Sequence, residues 1–272
     1  MLPTSHSDSN LALNEPFLWL LKHGEAFGHP EWQYKTTFSA FGDRGNAVEA
    51  GVNLFYTRPD CTMEDMVALA LHDFLLRREK QEEDLDEAEL KEYSAIPHYI
   101  RCAQLALTSS EFEALDQGKF ITTQRKVTAI VNSRSHPQDW RGYIDFHLEK
   151  GDWDLKTTTN LPSDIRPSHR RQLAFYGSST GNAQHIVYVK PVPEMTATGK
   201  TSTAKAYAIF SLDQSEIEIG ERGRRAVTEY MCTLYEMGWE KAMRVSPPRD
   251  MTSIYWDVRA RAIAKEIWGV QP

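Results

Sequence analysis

Asp145, Asp154 and Lys156 fall within one stretch, GYIDFHLEKGDWDLKTTT (residues 142–159), and groups of these types could do chemistry if they met. Two runs that alternate with period two, as half-buried strands do, flank a Glu-Lys-Gly-Asp turn. Side chains alternate across a strand. Tyr143, Asp145 and His147 therefore share one face of the first run, and Ile144, Phe146 and Leu148 the other. Asp154 and Lys156 share one face of the second run. A turn centred on Lys150 and Gly151 sets Asp145 opposite Lys156 and His147 opposite Asp154, all projecting from the same side. Two carboxylates this close repel, and one pKa rises unless a cation sits between them. Mg2+ or Mn2+ answers that need with oxygen ligands, and Mg2+ commonly uses only one or two carboxylates together with waters and phosphate oxygens. Such an ion lowers the pKa of a bound water and polarises a phosphoryl oxygen, which is the chemistry of phosphodiester hydrolysis. The plainer alternative is a surface hairpin with a same-face ion pair contributing well under ~1 kcal/mol. A D-x-K triplet by itself does not separate the two.

Other residues bear on that choice. In RRQLAFYG, Gln172 and Tyr176 are four apart and share a helical face. Arg166, His169, Arg170 and Arg171 crowd the start of the same helix, where dipole and free amides favour a phosphate. Upstream, RGNAVEAG places Glu49 on a helix after a glycine turn, offering a third carboxylate.

The elements that must position these residues can be read in outline. PFLWLLKHG, from Pro16, is a short helix with Pro at its start and Gly24 at its stop. The first 13 residues read as a loose terminus. A helix is expected from about Asn46, with Val48, Val52 and Phe55 at helical spacing. Another starts after Thr62, with Asp65 completing a near capping box. Helical character continues to about Gly118. Then QRKVTAIVNSR (124–134), RGYIDFHLEK and GDWDLKTTT form an antiparallel meander. A helix from Pro167, two strands in HIVYVKP and KAYAIFSL, a long helix from about Gln214 to Gly238 and a last helix complete the chain. No internal repeat or low-complexity linker appears. The pattern is that of a single α/β domain, with a core at about 40–58 and 120–212, a helical insertion at about 60–118 and a C-terminal helical region at about 213–272.

Composition sets limits. The chain has 272 residues, 41% hydrophobic and 25% charged, as an ordinary globular protein does. No apolar run reaches the roughly 18 residues that span a bilayer. The N-terminal stretch lacks the regions of a signal peptide, so a cytoplasmic protein without a membrane partner is expected. Cys61, Cys102 and Cys232 form no CxxC pair, which argues against a zinc site or an iron–sulfur cluster and for buried free thiols. The net charge of −7 argues against indiscriminate nucleic-acid binding. QEEDLDEAELKE (81–92) carries most of that charge, leaving the rest near neutral and able to form a basic groove. That acidic run reads as a solvated helix face. Trp140 and Trp153 flank the meander, where core packing is favoured over stacking on bases.

Taken in order, RGNAVE (44–49), GYID (142–145), DLKT (154–157) and QLAFY (172–176) resemble the motifs of the PD-(D/E)XK nuclease superfamily, in particular its RecB-like and phage exonuclease branch. The resemblance covers about residues 40–190. It implies a restriction-endonuclease-like core, a mixed central sheet flanked by helices. It implies that Glu49, Asp145 and Asp154, with the Leu155 carbonyl, hold Mg2+ or Mn2+, and that Lys156 positions or activates the attacking water. Gln172 and Tyr176 would contact the DNA, and Arg44, Arg166, His169, Arg170 and Arg171 would join them in binding it. With three unsuitably spaced cysteines, the chain resembles the members without an iron–sulfur cluster. The implied activity is a Mg2+-dependent exodeoxyribonuclease acting on DNA ends in repair, recombination or phage DNA processing. A single-strand annealing or recombination protein is a further implied partner, and an oligomer is compatible with the branch. A restriction-like endonuclease and a non-catalytic DNA-binding protein on the same fold are the alternatives.

Overall fold

The computed structural model describes residues 4–32, 39–132, 137–192, 204–249, 251, 256 and 258–268. It opens with a two-residue strand β1 (Thr4–Ser5), then α1 (His6–Asn14) and α2 (Pro16–Lys22). Three helices follow: α3 (Ala40–Thr57), α4 (Met63–Arg78) and α5 (Glu87–Leu107), with a single turn α6 (Ser110–Glu113). The meander comes next, as β2 (Phe120–Asn132), β3 (Pro137–Leu148) and β4 (Gly151–Thr157). Then come α7 (Pro167–Thr180), β5 (Ala183–Val189), β6 (Tyr207–Leu212), α8 (Gln214–Met237), α9 (Trp239–Val245) and α10 (Val258–Trp268). This is a mixed α/β fold, a six-stranded mixed sheet flanked by helices. The sheet runs β1-β3-β4-β5-β6, with β2 also paired to β3. β4 and β5 are parallel, as are β1 and β3, and the other pairs are antiparallel.

Two apolar clusters clothe the sheet. On one face, Val48 and Val52 of α3, Phe74 of α4 and Ile100 of α5 pack with Phe146, Trp153 and Leu155. On the other, Leu173, Phe175 and Tyr176 of α7 pack with Trp140, Ile144, Ile186 and Tyr188. A third cluster joins α2 to α8, α9 and Trp256, away from the sheet. No helix among the described residues is long and apolar enough to cross a membrane.

Several expectations need correction. The terminus expected to be loose contains β1 and α1 among its described residues, and β1 pairs with β3. α3 starts at Ala40, six residues before the expected start, because Ser39 Oγ caps it by accepting from the Gly42 amide at 3.3 Å. Gly42 and Gly45 lie inside the helix, so no glycine turn precedes Glu49. Farther along α3, a Cβ on Gly51 would lie 2.6 Å from the Met66 carbonyl oxygen, so this glycine lets α3 and α4 approach closely. The acidic run is not simply solvated. Glu89 is buried and closes a capping box with Asp86, and Glu92 is paired with Arg44. Trp140 and Trp153 are core residues. Residues 133 and 134, expected to end the first meander strand, lie outside the described residues.

Candidate active site

The β3–β4 hairpin is held by a cross-strand aromatic pair, with Phe146 stacked on Trp153 at 3.9 Å between ring centroids. Its register differs from the expected one by two residues. His147 lies opposite Asp152, so the turn is Glu149–Lys150. A shift of two keeps every side chain on its face, which is why alternation alone could not set it.

Beyond Phe146 and Trp153 the strands part. The Asp145 carboxylate enters the gap and accepts from the Leu155 amide at 3.0 Å. The alternation of β3 also breaks here. Ile144 packs with the α7 cluster, whereas Phe146 and Leu148 pack with the α3–α5 cluster, so the three do not share a face as expected. Opposite the break, Gln124 takes a left-handed φ of 50°, and the β2–β3 ladder passes over Gln124 and Asp145. Backbone strain of this kind is tolerated where surrounding structure enforces it.

Into this gap the fold brings the predicted acids and lysine. Asp154 is almost fully buried. Its Oδ1 accepts from Gln172 Nε2 at 2.9 Å, and its Oδ2 contacts the Lys156 ammonium in an ion pair. Gln172 also donates to the Tyr176 hydroxyl at 2.9 Å, and that hydroxyl donates to the Tyr143 carbonyl at 2.6 Å. α7 can approach β3 this closely because residue 142 is glycine. A Cβ there would lie 2.7 Å from the Tyr176 ring and 2.9 Å from the Phe175 ring.

The electrostatics are those of crowded acids. Burial first, then Asp154 and Glu49, push the Asp145 carboxyl well above the usual carboxylate range. Burial, offset by Lys156 and reinforced by Asp154, pushes Glu49 up to about 7. Burial pulls the Lys156 ammonium down, but Asp154 and Asp145 outweigh it and its pKa is raised. Lys156 is thus a cation at neutral pH, able to donate hydrogen bonds and unable to take a proton.

Lys156 lines two open clefts. One, of 420 Å³, is shared with Glu49, Asn53, Arg77, Gln124 and Asp145. The other, of 460 Å³, is shared with Asn10, Arg141, Tyr143, His169, Gln172 and Tyr176. Glu49 therefore reaches the same cleft as Asp145, where its carboxylate accepts from Gln124. Among the described residues, no three His, Cys, Asp or Glu side chains form a group that could hold a metal ion by themselves.

The expected cationic cluster does not converge. Arg44 is buried, paired with Glu92, bonded to Thr157 Oγ1 at 3.1 Å and stacked near Phe41 and Tyr99. It braces α3 against α5 and β4, and that interior position removes it from the substrate-facing set. Arg170 is bound by Glu216 and by Asp164 at 2.9 Å. Arg171 donates to Asn10 Oδ1 at 2.6 Å. His169 is held at a pKa of about 4 by burial and by Lys156, so it is neutral, and its Nδ1 lies 2.7 Å from the Tyr188 hydroxyl. Arg166 is exposed and donates to Thr158 Oγ1 at 3.0 Å.

Two features escaped the sequence reading. Gln124 had no motif to mark it. Asp152, fully buried, accepts from Thr180 at 2.6 Å and Gln184 at 2.9 Å, and His147 Nδ1 lies 2.5 Å away. This network ties the hairpin to α7 and β5. The alternation of Asp152 with Asp154 was its one visible sign.

The chain matches no family model, and no curated protein matches it. Among solved structures it is similar to a protein of Eubacterium rectale named as a presumed exonuclease. That likeness has a TM-score of 0.55 and 11% identity, over 91% of this chain and 89% of the other. It shows a shared fold across nearly the whole length. LHK-Exo in complex with dAMP overlaps at a TM-score of 0.31 with 12% identity, over 75% of this chain and 98% of that one. SSO0001 overlaps at 0.30 with 16% identity, over 76% and 82%.

Proposed function

We propose that the protein is a metal-dependent deoxyribonuclease of the PD-(D/E)XK kind that hydrolyses DNA phosphodiester bonds from strand ends. One observation carries this reading: Asp145, Asp154 and Glu49 crowd around Lys156 where the sheet splays, with an open cleft on either side of the lysine. A surface hairpin has no need to bury Asp145 and Asp154 together. The likeness to the Eubacterium rectale protein, named for an exonuclease, supports the reading.

The donor set fits a hard divalent cation. It offers carboxylate oxygens without thiols, and it holds more negative charge than Lys156 balances. Mg2+ needs only one or two carboxylates, with waters and phosphate oxygens completing its ligands. Asp145 and Asp154 would hold Mg2+ or Mn2+ with the Leu155 carbonyl. Glu49, which lines the cleft of Asp145 and Lys156, makes no three-carboxylate group with them here and would join only by drawing closer. When bound, the ion would polarise the phosphoryl oxygen and acidify a water.

The chain's own groups do the rest. Lys156 donates to the attacking water or to a phosphoryl oxygen, opposing charge that grows in the transition state. Gln172 fixes the Asp154 carboxylate, and Tyr176 fixes Gln172 against the β3 backbone. Neutral His169 lines the second cleft and is placed to meet the substrate there, with exposed Arg166 at the N-cap of the same helix. Ser5 and Asn10 bound that cleft, which suits a strand end better than a continuous duplex.

The test uses linear and covalently closed circular DNA, labelled at 5′ or 3′ ends, with and without Mg2+ or Mn2+. Metal-dependent loss of linear DNA alone, absent in Lys156→Ala, supports the exonuclease and gives its polarity. Cutting of circles moves the reading to an endonuclease. Tight binding without turnover on any substrate rejects the enzyme.

A further inference from the structure

The outer face of the β2–β3 ribbon carries an unusual set of side chains. Lys126 lies directly opposite Tyr143, and Thr128 directly opposite Arg141. Cross-strand partners project from the same face, so Lys126, Tyr143, Thr128 and Arg141 form one patch. Ile130 continues it along β2. The opposite face of this ribbon is spent on the core, through Val127, Trp140 and Ile144. Tyr143 is 51% exposed and Ile130 69%, large apolar groups that the fold leaves uncovered. Lys126 and Arg141 are exposed as well.

This patch is continuous with the candidate active site. Tyr143 and Arg141 line the same cleft as Lys156. The Tyr143 backbone is clamped by the Tyr176 hydroxyl, which in turn is bonded to Gln172 and through it to Asp154. The backbone from which the Tyr143 ring projects is therefore held by the same network that sets Asp154. Lys126 and Arg141 set two cations next to Tyr143 at the cleft end of the patch, and the register brings Asp139 opposite Ile130 at its far end.

Two cations beside an aromatic ring match an unpaired nucleic-acid strand, whose phosphates meet the cations while an unstacked base lies on the ring. Duplex keeps its bases stacked and offers the ring nothing. Resting on the nuclease reading above, we infer that the outer face of the β2–β3 ribbon is the track for single-stranded DNA entering the site. Tyr143 stacks on a base at the cleft mouth, and Lys126 and Arg141 hold flanking phosphates. The substrate class is thereby a single strand or the unpaired end of a duplex.

The experiment measures anisotropy of a labelled single-stranded oligonucleotide and of a matched blunt duplex, alongside steady-state cleavage of each. Variants are Tyr143→Ala, Tyr143→Phe and the pair Lys126→Ala with Arg141→Ala, with Lys156→Ala as the inactive control. Tyr143→Ala is expected to weaken single-strand binding by about 5- to 150-fold. It should raise KM more than it lowers kcat, spare duplex binding, and be rescued by Phe. The double cation variant is expected to shrink the slope of log affinity against log salt by about 1.4 for single strands. Circular dichroism and melting of each variant separate these effects from misfolding. Unchanged single-strand affinity in both sets, while Lys156→Ala abolishes cleavage, overturns the track and leaves the nuclease reading standing. Wild-type protein that neither binds nor cleaves DNA overturns both.

Discussion

Two clusters of charge each draw an acid from α3, Asp43 near its start and Glu49 in its middle, and they are built on opposite rules. At one, Glu89 accepts from Arg78 at 3.0 Å and Lys80 at 2.6 Å, and Arg78 also reaches Asp43 at 3.0 Å. The Glu89 carboxylate further accepts from the Asp86 amide at 3.0 Å. Two acids meet two cations, and bonds from Lys80, Asp86 and Arg78 bring the Glu89 pKa down to about 2. At the other, Glu49, Asp145 and Asp154 meet Lys156, and Arg77, itself paired with Asp73, acts on Glu49 from the cleft; Asp145 and Glu49 are still pushed up. A balanced cluster stabilises the fold. An unbalanced one costs stability and is tolerated where a ligand is to supply the missing charge.

The largest effect that could break this contrast is catalytic. Lys156→Ala or Asp154→Asn should lower cleavage at least about a hundredfold, a loss typical of one preorganised electrostatic contact. Melting should stay within a few degrees of wild type. A well-folded variant with full activity would remove the site assignment. Asp145→Asn sharpens the point, because removing one of the crowded charges should abolish activity while leaving Tm unchanged or higher.

Acid titration comes next. Burial holds His185 at a pKa of about 4 against an ordinary value of 6.5. The folded state disfavours its protonation, so stability is full above pH 6.5 and is lost as pH falls toward 4, by up to about 3 kcal/mol. Glu89 acts in a lower window. Its stabilisation is full above about pH 4.5 and is lost as pH falls toward 2. Glu49 and Asp145, whose carboxyl pKa values are raised, gain stability as pH falls through the same range, so the histidine is read as a difference. In denaturant unfolding the stability of wild type relative to His185→Gln should fall between pH 7 and 4. A pH-independent difference over that range would contradict the neutral buried histidine.

The converse of Asp145→Asn is Glu89→Gln. It should keep DNA cleavage near wild type and lower stability by about 2 to 3 kcal/mol, as charged hydrogen bonds are lost from a buried group. Loss of activity at unchanged stability would reverse the roles of the two clusters. The smallest effect is metal linkage. Mg2+ at ten times its dissociation constant should stabilise the protein by about 1.4 kcal/mol, read as a shift in Tm. That shift should vanish in Asp145→Asn and persist in Glu89→Gln.

Much of the scaffold could be read from local pattern. The capping box at Thr62 and Asp65, the period-two runs of the meander and the helix opening at Pro167 each depend on neighbours within a few residues. The site was legible where its groups lie on such elements: Asp145, Asp154 and Lys156 on paired strands, Gln172 and Tyr176 one helical turn apart. The roles of the arginines were not legible. Arg44 and Glu92 are 48 residues apart, and Arg170 and Glu216 are 46 apart, so sequence shows each arginine as a free cation.

The sequence by itself determined the order of the main helices and strands after the first 13 residues and, outside the break in β3, which residues share a face, because propensity, capping and alternation act over short range. Tertiary structure alone decided the hairpin register, the break in β3 at Asp145 and the strained backbone of Gln124. It also decided which charges are neutralised. Those outcomes follow from contacts between distant elements: the aromatic stack of Phe146 on Trp153, the close approach of α7 allowed by Gly142, and the Leu155 amide claimed by Asp145.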